Sequence, residues 1–111
     1  LSPVRDMINA GLPVAMASDF NPGTSPSGNM QFIMSAACIR YKMTPEEAFN
    51  ATTLNTAYAM DVSHELGSIT KGKLANVIIT KPMNGLEFMP YYYGANKVDK
   101  VIIKGKLKVE N

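Results

Sequence analysis

Between Ser18 and Pro26 the chain reads Ser-Asp-Phe-Asn-Pro-Gly-Thr-Ser-Pro, so that Asp19, Asn21 and Thr24 bring a carboxylate, an amide and a hydroxyl close together. A carboxylate can accept a proton or ligate a cation, and the amide and hydroxyl can hold polar groups of a small ligand. Gly23 adds a backbone amide with no side chain beside it. Pro22 and Pro26 remove backbone donors and fix φ, so the run can continue neither a helix nor a strand. It follows the apolar stretch Val14 to Ala17, which reads as a short buried strand. Asp19 then hangs from the carboxyl end of a strand, the place where parallel α/β folds bind ligands. The bland reading fits the same residues. Asp19 suits an Asx-turn or helix cap, and Asn21, Gly23 and Thr24 suit a turn, so the residues alone leave both readings open.

Few other side chains compete for a chemical role. Cys38 is the single cysteine, which excludes an intrachain disulfide, and it falls on a helical apolar stripe where a thiol is buried rather than nucleophilic. His64 follows Ser63 in a polar connector with no second histidine to converge on a metal, and reads as a surface residue. Tyr91-Tyr92-Tyr93 reads as an aromatic loop cluster packed on a domain or subunit. A net charge of +2, with 46% hydrophobic and 18% charged residues, fits a folded globular chain and gives no argument for a nucleic-acid partner. The lysines at 97, 100, 104, 106 and 108 interleave with Asp99 and Glu110, as on the solvated side of strands. No apolar run reaches the roughly 18 residues of a membrane span, and a cytoplasmic chain without membrane partner is expected. The 8 methionines fall at core-like spacing.

The elements follow from caps and periodicity. Ser2 as N-cap and Pro3 at the first helical position predict a helix to about Ala10, stopped by Gly11. A second helix is expected over 29–41, with Met30, Ile33, Met34, Ala37, Cys38 and Tyr41 on one face. Thr44-Pro45-Glu46-Glu47 is a capping box, starting a helix from Pro45 to about Ala51, and a short helix follows over Leu54 to Met60. Asn76 to Thr80 reads as a strand, 82–97 as a long loop, and Val98–Ile103 with Leu107–Val109 as a hairpin turning at Gly105. The first strand has no partner in this order, which leaves backbone groups unsatisfied unless chain outside this sequence pairs with it.

At this point the residues resemble the imidazolonepropionase family of the amidohydrolase superfamily. The run from Asp19 to Pro26 is similar to that family's metal-site loop. Met43-Thr44-Pro45-Glu46-Glu47-Ala48, with Ala51-Thr52 and Asn55 to Ala59, resembles the helical stretch after its last barrel strand. Gly67-Ser68-Ile69, Lys71 to Ala75, and Tyr91 to Asn96 leading into Val101 to Gly105 resemble its later parts, although Asn76 stands where the family usually has Asp. The fold implied is α/β: the C-terminal part of a metal-dependent (β/α)8 barrel, its last strand and following helices over 1–66, then strands of a flanking β-sandwich over 67–111.

The resemblance implies a chain that belongs to something longer, since a (β/α)8 barrel takes about 250 residues. It implies one zinc or iron ion, with Asp19 as both metal ligand and proton acceptor and with histidine ligands from the missing N-terminal barrel portion. Asn21, Gly23 and Thr24 are the implied substrate contacts. The implied reaction is hydrolysis of the cyclic amide of 4-imidazolone-5-propanoate to N-formimidoyl-L-glutamate, in histidine degradation, with this chain alone inactive and holding no metal. Exposed strand edges and apolar faces lead to the expectation of a homo-oligomer. Two other readings stay open: a different amidohydrolase, such as a deaminase or cyclic amidase, and a noncatalytic α/β interaction module.

Overall fold

The structure, a computed structural model, describes residues 1–110. Its elements run α1 (Val4–Asn9), α2 (Met30–Tyr41), α3 (Pro45–Thr52), α4 (Leu54–Ala59), β1 (Val77–Thr80), α5 (Phe88–Tyr91), β2 (Val98–Ile103) and β3 (Lys106–Glu110). The helices gather around a core of small and flexible side chains, Val4, Val14, Met34, Ala37, Met43, Ala48, Ala51 and Met89. Methionine fills this space as its flexibility allows. On α2 the expected stripe holds: Met34 and Ala37 are buried, Cys38 and Tyr41 pack against the core, and Ile39 faces outward. Lys42, in the left-handed region at φ 56°, ends the helix, and the Met43 amide reaches back to Ala37 O at 3.2 Å.

The capping box forms as its sequence requires. Thr44 Oγ1 accepts from the Glu47 amide at 3.2 Å, and Glu47 Oε1 accepts from the Thr44 amide at 2.9 Å. Glu47 also takes a bidentate pair from Arg5 of α1, Nη1 to Oε1 at 2.8 Å and Nη2 to Oε2 at 2.7 Å. The guanidinium continues to Lys42 O at 3.1 Å, so one side chain joins α1, the end of α2 and the start of α3.

Three readings need correction. Val14 to Ala17 forms and joins no strand among the described residues. Its backbone groups go elsewhere: the Met16 amide donates to Ala51 O at 2.9 Å, and the Val14 and Met16 carbonyls accept from side chains of α4. Ser2 does not cap α1; Pro3 takes the cap position without a side-chain hydrogen bond, and the Val4 amide bonds to Ser2 O. Within 82–97, read as loop, the four residues of α5 form a short helix because Met89 and Pro90 are buried against the helical layer. Tertiary burial here outweighs the absence of any cap.

The remaining strands form one antiparallel sheet in the order β1-β2-β3. Val77 pairs with Ile102 and Ile78 with Val101, while Lys100 faces Glu110 across the hairpin. Lys104 and Gly105, at φ 51° and 79°, form the two-residue turn whose twist suits a hairpin. The turn docks on the residues before β1, through Lys104 N to Asn76 Oδ1 at 2.9 Å and Gly105 N to Ala75 O at 3.1 Å. Much of the sheet stays uncovered, with Ile78, Ile79, Leu107 and Val109 all exposed. Between the helices and the sheet, Gly67 adopts φ +98°, and a Cβ there would lie 2.6 Å from that of Ala57. No helix of the described residues is long and apolar enough to cross a membrane.

The Arg5 hydrogen bonds, followed by that from the Thr44 amide, hold the Glu47 carboxyl at about 2, against an ordinary value of 4.5. A folded-state value below the unfolded one gives stability that is present above 4.5 and lost as pH falls toward 2. Denaturant midpoints are expected to fall across that window, and Glu47→Gln to flatten the fall while lowering stability at neutral pH. Thr44→Ala, which removes the cap acceptor, is expected to cost about 1 kcal/mol in the same measurement.

Candidate active site

The loop that begins at Asp19 follows the segment bonded to α4 and returns to α2 through a second cap. Asn29 Oδ1 accepts from the Phe32 amide at 3.1 Å, and Ser27 Oγ accepts from the Asn29 amide at 3.2 Å. Inside the loop Asn21 is the organising side chain. Its Oδ1 accepts from the Gly23 amide at 3.0 Å, the Thr24 amide at 2.7 Å and the Thr24 hydroxyl at 3.1 Å. Its Nδ2 donates to Asp19 O at 2.8 Å. The Asn21 amide bonds to Ser25 O at 2.8 Å, and Ser25 Oγ donates to Ser18 O at 3.3 Å, which closes the loop on itself.

Asp19 sits at φ 52°, a left-handed conformation that Asp tolerates better than most residues, and the bond from Asn21 to its carbonyl holds it there. Its side chain is exposed, and its carboxylate forms no hydrogen bond or ion pair among the described residues. The structure therefore brings Asn21, Gly23 and Thr24 together around one oxygen and leaves the Asp19 carboxylate directed to no partner in this chain. In this arrangement the three residues shape the loop. The donors named above from Gly23 and Thr24 are committed to Asn21.

The other candidates lie apart from this chemistry. His64 is exposed, with Nε2 4.0 Å from Glu65 Oε1. Cys38 is partly buried, and burial, with the nearby Glu46 charge, pushes its thiol pKa up, which disfavours the nucleophilic thiolate. Tyr91 to Tyr93 pack within the chain: Tyr92 stacks on Phe88 at 5.4 Å under the Lys97 ammonium, and Tyr93 meets Phe32 at 5.4 Å. They border an open apolar cavity of about 690 Å³ beside Ser35, Cys38 and Ile39. Two residues near the loop were marked in the sequence only as part of the helical stretch that carries the resemblance: Asn55 and Thr56 of α4, which bond to the Val14 and Met16 carbonyls. Nothing in their spacing points to those two carbonyls.

The described residues contain no group of three or more His, Cys, Asp or Glu side chains able to hold a metal. One donor of the right type is present: Asp19 offers an exposed, unshared carboxylate at the end of an ordered segment. That fits one position of a metal's ligand set.

Comparison with known proteins places this geometry in context. The family model for the amidohydrolase family matches residues 1–108, and the chain belongs to that family. The family is generally metal-dependent. Among curated proteins, the chain is 58% identical over 106 residues to the imidazolonepropionase of Flavobacterium johnsoniae, covering 96% of this chain and 26% of that protein. It is 50% identical over 106 residues to the imidazolonepropionase of Alkaliphilus oremlandii, covering 96% of this chain and 25% of that one. The chain thus spans about a quarter of the length of the curated relatives it matches. An amidohydrolase structure from Thermotoga maritima superposes with a TM-score of 0.75 at 20% identity, over 97% of this chain and 26% of that one. E. coli guanine deaminase gives a TM-score of 0.75 at 19% identity, over 97% of this chain and 30% of that one, and shares the fold.

Asn21→Ala removes the four side-chain bonds that Asn21 makes within the loop, leaving that of Ser25, and faster amide exchange over 19–25 is the expected result, with little change in the helical core. Asn21→Asp keeps the acceptor but loses the donor to Asp19 O. Its exchange is expected to lie between the two, with the largest change next to Asp19.

Proposed function

We propose that this chain is the part of an imidazolonepropionase-type amidohydrolase that carries its aspartate loop. The reaction is hydrolysis of the cyclic amide C–N bond of 4-imidazolone-5-propanoate, giving N-formimidoyl-L-glutamate. The observation that carries the proposal is the 58% identity to an imidazolonepropionase over 96% of this chain, the aspartate loop lying within a chain covered almost end to end. Residues 1–66 are read as the end of a metal-dependent (β/α)8 barrel and 67–111 as strands of a β-sandwich. The exposed Ala15 and Ala17 before Asp19 and the uncovered sheet support that division, since each presents surface that further chain could cover.

Asp19 is the residue assigned to chemistry. Its carboxylate would be one ligand of a zinc or iron ion whose other ligands come from outside this chain. When bound, such an ion supplies Lewis acidity that makes water a nucleophile near neutral pH. Asp19 Oδ takes a proton from the attacking water as the water oxygen bonds to the ring carbonyl carbon. The same oxygen returns that proton to the ring nitrogen as its bond to that carbon breaks, so the proton count closes on one group. Asn21 orients Asp19 through its backbone carbonyl, and Gly23 and Thr24 line the loop that faces the small-molecule substrate. A cytoplasmic enzyme assembled as a homo-oligomer completes the reading.

In a full-length protein containing this chain, Asp19→Asn is expected to lower turnover by at least about 100-fold, in line with the usual worth of a general acid–base group. Because the carboxylate has no partner among the described residues of this chain, the melting temperature of the metal-free protein is expected to change little. Retention of more than about a tenth of wild-type turnover would refute the assignment.

A further inference from the structure

Residues 14–16 present two carbonyls toward α4. The carbonyls of Val14 and Met16 both meet side chains from the start of that helix. Asn55 Nδ2 donates to Val14 O at 2.9 Å. The Thr56 hydroxyl lies 3.2 Å from Met16 O and 2.6 Å from Ala51 O, and with a single proton it bridges the two. Ala51 O in turn accepts the Met16 amide at 2.9 Å. Both donors open one helix, yet the bonds span 41 and 40 positions of sequence. One bond would satisfy a carbonyl; two, on alternate residues, also fix the rotation of the segment. A shift of one residue along the segment would lose both bonds. Asp19 begins three residues after Met16, and Ser25 and Asn21 hold the carbonyls of Ser18 and Asp19 beyond it.

We propose that Asn55 and Thr56 are positioning residues for Asp19: a two-point clasp from α4 sets where the segment ends and hence where the carboxylate is presented. The proposal rests on the reading of Asp19 as a metal ligand and proton carrier. The clasp acts through the backbone and touches neither substrate nor metal. Supporting groups of this kind commonly change metal affinity or activity by 10–100-fold when removed.

The test uses the full-length protein containing this chain, loaded with zinc, and the variants Thr56→Val, Thr56→Ser, Asn55→Ala and Asp19→Asn. Zinc retention is read by competition with a chelator, beside kcat, KM and melting temperature. Thr56→Val and Asn55→Ala are expected to loosen zinc by about 10-fold and lower kcat by a similar factor with KM nearly unchanged, while Thr56→Ser restores both. Folded Thr56→Val and Asn55→Ala proteins that hold zinc and turn over within about twofold of wild type overturn the clasp, and so does a loss that serine does not rescue. If one variant fails to fold the other decides; failure of both assigns the pair to stability and overturns the proposal. Zinc held as tightly by Asp19→Asn as by wild type removes the underlying reading and the clasp with it. Zinc lost there but unmoved by the clasp variants removes the clasp alone.

Discussion

Glu47 accepts two hydrogen bonds from the Arg5 guanidinium and one from the Thr44 amide, while the same guanidinium reaches the Lys42 carbonyl, and the meeting of three helices depends on this arrangement. The pair is partly open to solvent, so screening limits its Coulomb energy. Its larger effect is geometric. A bidentate fork has one good orientation, and it sets α1 against the start of α3 at the point where α2 ends. That setting encloses Val4, Val14, Met34 and Met43 in one core, which contains no large side chain that is fully buried. A core built of alanine and methionine specifies relative helix positions weakly, and the ion pair supplies what the packing lacks.

The aspartate loop inherits its position from the same frame. Its entry is held by α4, which follows α3 directly, and its exit is capped onto α2. From α2, Gln31 Nε2 donates to Tyr92 O at 2.7 Å and Ala95 O at 3.0 Å, so the segment after α5 is tied to the same helix. A loop rich in proline and glycine thus stays ordered while nearly all of it is exposed. Rigidity comes from its two ends and from one asparagine in its middle.

Much of this was legible in the residues because the signals are local. Thr44, Pro45 and Glu47 lie within one turn, and their cap formed as read; the α2 stripe and the Gly105 turn are equally short-range. The segment 14–17 forms no strand among the described residues, with Val14 buried but Ala15 and Ala17 exposed, because apolar content names no partner, and here Ala51, Asn55 and Thr56 take up its backbone groups. The four residues of α5 carry no cap and include a proline, so only their burial makes them helical. At the site, the turn character of Asn21, Gly23 and Thr24 was visible, but the convergence of their bonds on a single oxygen required coordinates. The bonds of Asn55 and Thr56 were invisible for a physical reason: side chain to backbone bonds across some 40 residues follow no periodicity.

The close approach of Gly67 to α4 carries over to sequence variation. With a Cβ at 67 placed 2.6 Å from that of Ala57, and with Thr53 O only 3.2 Å away, the two positions share a space that one methyl group already occupies. A larger residue at 57 and any side chain at 67 are therefore competing uses of the same volume. The left-handed backbone of Gly67 adds a separate bar, because relieving the crowding at 57 would still leave φ at +98°. Substitution at 67 is thus doubly restricted, whereas 57 is limited by size alone. Of the two, the glycine is the position with less freedom to change.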